Sequence, residues 1–130
     1  MTPRRLLLVD QNDDFLDGLC ALIAKDPTLE IAGRAHSGME AIERAKEMRP
    51  DLVLMDVSLP DMSGFDVVPW LKEQQPAPVV LLATFHQSRV TELAAVKVGA
   101  DACVSKTDLP GQLLFLLQEL LFPEGAQADP

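Results

Sequence analysis

The stretch Asp51-Leu52-Val53-Leu54-Met55-Asp56-Val57-Ser58-Leu59-Pro60-Asp61-Met62-Ser63-Gly64 decides the fold. Leu52 to Met55 follow one another with no polar residue between them. A strand with one wet face alternates apolar with polar, so an unbroken run reads as a strand buried on both faces. The run ends on an acid, Asp56. Pro60 and Gly64 then mark a loop. From Phe65 the apolar residues recur at helix spacing, at Phe65, Val68 and Leu71. The local unit is strand, acid, loop, helix.

The same unit recurs on either side. Further aliphatic runs stand at Leu6-Leu7-Leu8-Val9 and Val79-Val80-Leu81-Leu82, with weaker candidates at Glu30 to Ala35 and Ala102 to Ser105. Between them lie helical stripes: Phe15, Leu16, Leu19, Cys20, Leu22 and Ile23; then Met39, Ile42 and Ala45, stopped by Pro50; then Val90, Leu93 and Ala94, ended by Gly99. A last helix runs from Leu109 to Phe122. The order is β-α five times, about 26 residues per unit in a chain of 130. Strands alternating with helices predict an α/β fold, a parallel sheet covered on both faces. Right-handed crossovers make it doubly wound. An eight-fold barrel needs about twice the length.

Composition agrees. A chain that is 48% hydrophobic and 24% charged holds enough apolar material for one core. With 11 Lys and Arg against 20 Asp and Glu, the net charge is −9. Such a domain repels phosphate backbones and attracts divalent cations, which excludes direct nucleic-acid binding as its own task. Only four apolar residues separate Arg5 from Asp10, too few for a signal sequence, and no run approaches a membrane span. A cytoplasmic protein without membrane contact is expected. Cys20 and Cys103 sit in apolar runs and read as buried small hydrophobes rather than a disulfide.

In open α/β sheets, ligands bind beyond the carboxyl ends of the strands. Four side chains stand just after aliphatic runs: Asp10, Asp56, Thr84 and Lys106. Brought to one rim, they supply what phosphoryl transfer to an aspartate needs. A carboxylate attacks the phosphoryl group, and the transition state asks for positioning and neutralised charge.

These residues and their neighbours, Leu7-Leu8-Val9-Asp10, the Asp51–Gly64 stretch, Leu82-Ala83-Thr84 and Val98-Gly99-Ala100-Asp101-Ala102-Cys103-Val104-Ser105-Lys106, resemble the receiver domain of two-component response regulators. The resemblance covers about residues 4 to 122. It implies a five-stranded sheet in the order 2-1-3-4-5, of which the chemotaxis member of the family is a standing example. It implies that Asp56 accepts a phosphoryl group from a sensor histidine kinase or phosphotransfer protein. It implies Mg²⁺ held by Asp10, Gln11, Asp56 and the Ser58 carbonyl, with Thr84 as switch hydroxyl and Lys106 as the phosphate-binding cation. Pro60 and Gly64 would shape the loop, Gly64 by its backbone freedom. Such a domain is not a turnover enzyme, although it catalyses its own phosphorylation. The segment Glu30 to Met48 looks most like receivers joined to helix-turn-helix transcription regulators. Residues 1–122 form the expected domain, and 123–130 a tail or the start of a linker.

Three positions depart from the family, and Pro69 is odd for its place in a helix. Gln11 replaces a second acid. One charge at 4 Å is worth about 4 kcal/mol at an effective dielectric near 20, partly returned by solvation, so weaker Mg²⁺ binding is expected. Asp13 or Asp14 is a candidate to compensate. Phe85 stands where a small residue follows the switch hydroxyl, and a ring there restricts access or excludes water. Cys103 replaces the switch aromatic. Pro69 falls inside the third helix, where a kink or a late start is expected. Otherwise Asp13, Asp14 and Asp17 read as a solvated face, His36 and His86 as loop residues without a partner, and Trp70 and the methionines as packing residues. On the last helix Phe115 and Phe122 lie opposite the leucine arc, an expected partner face for a second copy or an effector.

Gln11, Phe85 and Cys103 also motivate a second reading, a degenerate receiver that acts as an interaction module without phosphate. Two enzyme-like alternatives fail. A haloacid-dehalogenase-like phosphatase needs Asp-x-Asp where this chain has Asp10-Gln11-Asn12, and a cap for which it is too short. A flavodoxin-like flavin site wants Ser, Thr and Gly where Gln11 to Asp14 is acidic.

Overall fold

The computed structural model describes residues 2–123. Strands β1 (Arg4–Val9), β2 (Leu29–Ala35), β3 (Leu52–Asp56), β4 (Val79–Thr84) and β5 (Ala102–Ser105) alternate with helices α1 (Asp13–Ile23), α2 (Gly38–Met48), α3 (Gly64–Lys72), α4 (Arg89–Val98) and α5 (Leu109–Leu121). The strands form one parallel sheet in the order β2-β1-β3-β4-β5, the expected doubly wound α/β arrangement.

The aliphatic runs divide by the pleat, because successive side chains in a strand face opposite ways. Leu7, Val9, Val53, Met55, Val80 and Leu82 pack with Ala41, Ile42, Ala45, Val67, Val68, Leu71 and Ala95 of α2, α3 and α4. Leu6, Leu8, Leu52, Leu54, Leu81 and Ala83 pack with Leu16, Leu19 and Ile23 of α1 and Leu109, Leu113 and Leu117 of α5. Each fully buried Leu or Val stabilises the fold by about 1.5–3 kcal/mol relative to an exposed one, so both faces need cover.

The β3–α3 loop folds back sharply. Ser58 and Ser63 form an antiparallel bridge, and the Gly64 N–H donates to the Val57 carbonyl at 2.7 Å. A Cβ on Gly64 would sit 2.6 Å from the Asp56 carbonyl oxygen. Gly64 is therefore required for a close backbone approach. Left-handed backbone occurs at Gly99, at φ 97°, where α4 ends, and at Arg49, at φ 46°, where α2 ends.

Several expectations are corrected. Helix α3 starts at Gly64, capped by Ser63, and continues through Pro69, so its start is not late. Phe115 is 67% exposed, but α5 ends at Leu121, and Phe122 leaves the helical path (φ −130°, ψ 54°). Its ring packs against the α1/α5 side of the core, with the Arg4 guanidinium 5.1 Å from its centroid. The Phe115/Phe122 partner face is thus not formed. Trp70 and Met39 are exposed instead of packed. Cys20 and Cys103 are free and half-buried. The expected tail, past Pro123, lies outside the described residues.

Candidate functional site

The sheet register carries four polar groups to one lip. Val9 pairs with Met55, so Asp10 and Asp56 come next on adjacent strands. Asp56 pairs with Ala83, which puts Thr84 one step further on β4, and the Lys106 N–H donates to the Thr84 carbonyl at 2.9 Å. All four side chains are buried: Asp10 at 2%, Asp56 at 8%, Thr84 at 3% and Lys106 at 5% exposure. They are the only buried polar or charged residues among those described.

Lys106 joins the acids. Its Nζ donates to Asp10 Oδ2 at 2.7 Å and to Asp56 Oδ2 at 3.1 Å. The remaining carboxylate oxygens accept from backbone: Asp10 Oδ1 from the Asn12 N–H at 2.8 Å, and Asp56 Oδ1 from the Ser58 N–H at 3.1 Å. Two carboxylates and one ammonium leave this buried group with one net negative charge. Burial raises the Asp56 pKa; the Ser58 N–H and Lys106 oppose that, and the Asp10 charge adds to it. Thr84 Oγ1 accepts from the His86 N–H at 3.0 Å, which leaves its own proton to donate.

Other sequence expectations land elsewhere. Gln11 and Ser58 are exposed beside the lip. Asp13 turns toward β2, where it meets Arg34 Nη1 at 3.4 Å and His36 Nε2 at 2.8 Å. It is committed there rather than compensating for Gln11. His36 is accordingly not partnerless: Asp13 raises its pKa, with Glu40 contributing, and Asp13's own pKa is lowered in return. Phe15 packs on the α1/α5 side of the core, as its helical spacing assigns it, and its ring also reaches the lip, 4.4 Å from Lys106 Nζ.

The donor set fits a hard divalent cation, which takes oxygen ligands and tolerates one or two carboxylates. Among the described residues no group of three His, Cys, Asp or Glu could hold a metal, so oxygens beyond the two acids would have to be backbone, amide, water or phosphoryl.

The model of the response regulator receiver domain matches residues 6–118. The chain belongs to this family. Over 112 residues this receiver is 33% identical to the protein-glutamate methylesterase/protein-glutamine glutaminase 1 of Rhizobium johnstonii, covering 85% of this chain and 32% of that protein. Over 111 residues it is 31% identical to the transcriptional regulatory protein YdfI of Bacillus subtilis, covering 85% of this chain and 51% of that one. The receiver therefore spans a third to a half of these curated relatives. Among solved structures, a LuxR-family two-component response regulator from Aurantimonas sp. SI85-9A1 superposes with a TM-score of 0.86 at 28% identity, over 92% of this chain and 86% of that one. The response regulator domain of Thermotoga maritima CheB shares the fold, with a TM-score of 0.82 at 22% identity, over 92% of this chain and 96% of that one. Relatives of both kinds place the receiver in two-component signalling. No helix among the described residues is long and apolar enough to cross a membrane.

Proposed function

We propose that this receiver is phosphorylated on Asp56 by a sensor histidine kinase or phosphotransfer protein. The observation that carries the reading is the Lys106 ammonium, buried and bonded to both Asp10 and Asp56. An Asp56 oxygen attacks the phosphorus; a P–O bond forms, the donor's P–N bond breaks, and the electron pair returns to the imidazole. Lys106 stabilises the charge on the phosphoryl oxygens as a point charge. Thr84 donates its hydroxyl proton to one of them and so registers their arrival. Asp10, Asp56, the Ser58 carbonyl and the Gln11 amide are the groups that would hold Mg²⁺. When bound, Mg²⁺ supplies further positive charge to the phosphoryl oxygens. The uncharged Gln11 makes that binding weaker than a second acid would. The acyl phosphate then biases a two-state surface that a partner reads. The partner is an effector protein or an output domain of the kind the relatives carry, transcriptional regulators included. The setting is the cytoplasm, and turnover of an external substrate is not its task.

Incubation with acetyl phosphate and Mg²⁺, followed by intact mass, tests this. The wild-type chain gains one phosphoryl group and Asp56→Asn gains none. An unmodified wild type, or equal gain in Asp56→Asn, overturns the reading. A second reading, an interaction module that works without phosphate, is favoured by Gln11 and by the Phe85 ring over Lys106. Under it, Asp56→Asn supports the same partner binding as the wild type.

A further inference from the structure

Lys106 has more neighbours than the two acids. Its Nζ lies 4.4 Å from the centroid of the Phe15 ring and 4.7 Å from that of Phe85. Both are inside the roughly 6 Å range in which the negative face of an aromatic ring attracts an ammonium. An ammonium has three N–H donors. Asp10 and Asp56 receive Lys106's two side-chain hydrogen bonds, and the rings flank the rest of the charge. The lysine is 5% exposed, so protein groups replace most of its water.

Core packing does not explain Phe85. It is 65% exposed and follows directly after the buried Thr84, whose Oγ1 holds the next turn through the His86 N–H. Phe15, half-buried in the first turn of α1, supplies the second ring beside the ammonium. The chain thus keeps one large, wet apolar ring at a place where its contact is a buried cation.

We propose that Phe15 and Phe85 form an aromatic cage around the Lys106 ammonium, fixing it between Asp10 and Asp56 and covering the acceptor carboxylate against small anions and water. The covering role rests on the reading of Asp56 as phosphoacceptor. Both phenylalanines are positioning residues that act through Lys106. A small phosphodonor displaces the Phe85 ring before Asp56 Oδ can bond to phosphorus. Hydrolysis meets the same obstacle. The water oxygen bonds to phosphorus, the P–O bond to Asp56 breaks, the carboxylate leaves with the electron pair, and the water proton goes to phosphate. One ring therefore slows both formation and loss of the acyl phosphate.

The cage has a readout that needs no phosphate. Protons above an aromatic face are shifted upfield by its ring current. In the metal-free, unmodified protein the Lys106 ε-methylene protons are expected upfield of ordinary lysines. Phe85→Leu keeps bulk and loses the π face, so it relaxes part of that shift; Phe15→Leu relaxes another part, and Phe85→Tyr restores the wild-type position. With acetyl phosphate and Mg²⁺, Phe85→Ala is expected to gain and then lose the phosphoryl mass about fivefold faster than wild type, the scale of one cation–π contact whose ring is exposed. Phe85→Tyr is expected to match the wild type. Lys106 shifts unaltered by Phe85→Leu overturn the cage. Shifts that respond, with Phe85→Ala rates equal to wild type, overturn the covering role. Responsive shifts with no phosphoryl gain in any variant overturn the phosphoacceptor reading and leave the cage around Lys106 standing.

Discussion

Asp56 and Lys106 pull the stability of this chain in opposite directions. Burial raises the Asp56 pKa, so the fold disfavours its charged form. A raised pKa contributes stability that is fully present below the unfolded value, about 3.9, and lost as pH rises through the folded value. In chelator-treated protein, Asp56→Asn is therefore expected to melt higher than wild type at neutral pH, with the gap closing below about pH 4. A neutral-pH melt at or below wild type would contradict this. Lys106→Met does the reverse. It leaves Asp10 and Asp56 buried with no cation between them, a loss of about 3 kcal/mol in urea unfolding at neutral pH. Adding Asp56→Asn to that variant recovers much of the loss, because one of the stranded charges goes. The four polar groups of the lip were readable as residues that stop aliphatic runs, since a polar group at a strand's carboxyl end has the sheet register to place it. Phe15 was not. A phenylalanine on an amphipathic stripe looks the same whether it packs on leucine or on an ammonium.

Helix α2 shows what a loop residue does for an element far from it in sequence. Its first two backbone donors, Gly38 N and Met39 N, give to Asp61 Oδ1 at 2.7 Å and Oδ2 at 3.0 Å. Ser37 Oγ takes the third, from the Glu40 N–H at 3.1 Å. Asp61 thus satisfies donors that a helix start otherwise leaves open, places a negative charge at the positive end of the dipole, and pins the β3–α3 loop to α2. Those bonds hold its pKa below the usual carboxylate range. Asp61→Ala is expected to lower stability. It should also speed amide exchange at Gly38 and Met39 while leaving Glu40 protected by Ser37; equal exchange at all three sites would refute the assignment. No spacing rule connects Asp61 to a helix twenty-odd residues earlier, so this contact waits on the fold. The ends of elements were equally opaque. Pro69 sits within α3 because Ser63 and the Gly64 turn fix the helix start ahead of it. Phe122 turns inward because α5 stops one residue short of it. The edge strands β2 and β5 are half-buried for most of their length, and that is why their apolar runs were weak compared with β1, β3 and β4.

The α1–β2 turn and α5 are tied on one face of the sheet by a polar cluster. Asp26 lies in the turn between α1 and β2, and Gln118 lies on α5. Gln118 Nε2 donates to Asp26 Oδ2 at 2.8 Å and to Thr28 Oγ1 at 3.1 Å. Thr28 gives both its N–H, at 2.9 Å, and its hydroxyl, at 2.7 Å, to Asp26 Oδ1. The Thr28 hydroxyl is the largest reason that the Asp26 pKa is lowered, followed by the Thr28 N–H, with Gln118 adding to them. A carboxylate with a depressed pKa stabilises the fold above its unfolded value, about 3.9, and that contribution is lost as pH falls through the folded value. Asp26 is half-buried, so its charge-assisted bonds are discounted for solvent, and Asp26→Asn is expected to cost about 1 kcal/mol at pH 7. The gap should close as the wild type protonates below about pH 4, where both proteins carry a neutral group at this position. Gln118→Ala removes one donor and keeps the charge, so its smaller penalty, about 0.5 kcal/mol, should persist at neutral pH with Thr28 still bonded. Urea unfolding from pH 7 to pH 3 separates the two effects. A gap for Asp26→Asn that stays constant over that range would mean that packing of the turn, and not the ionised carboxylate, holds α5 against the α1–β2 corner.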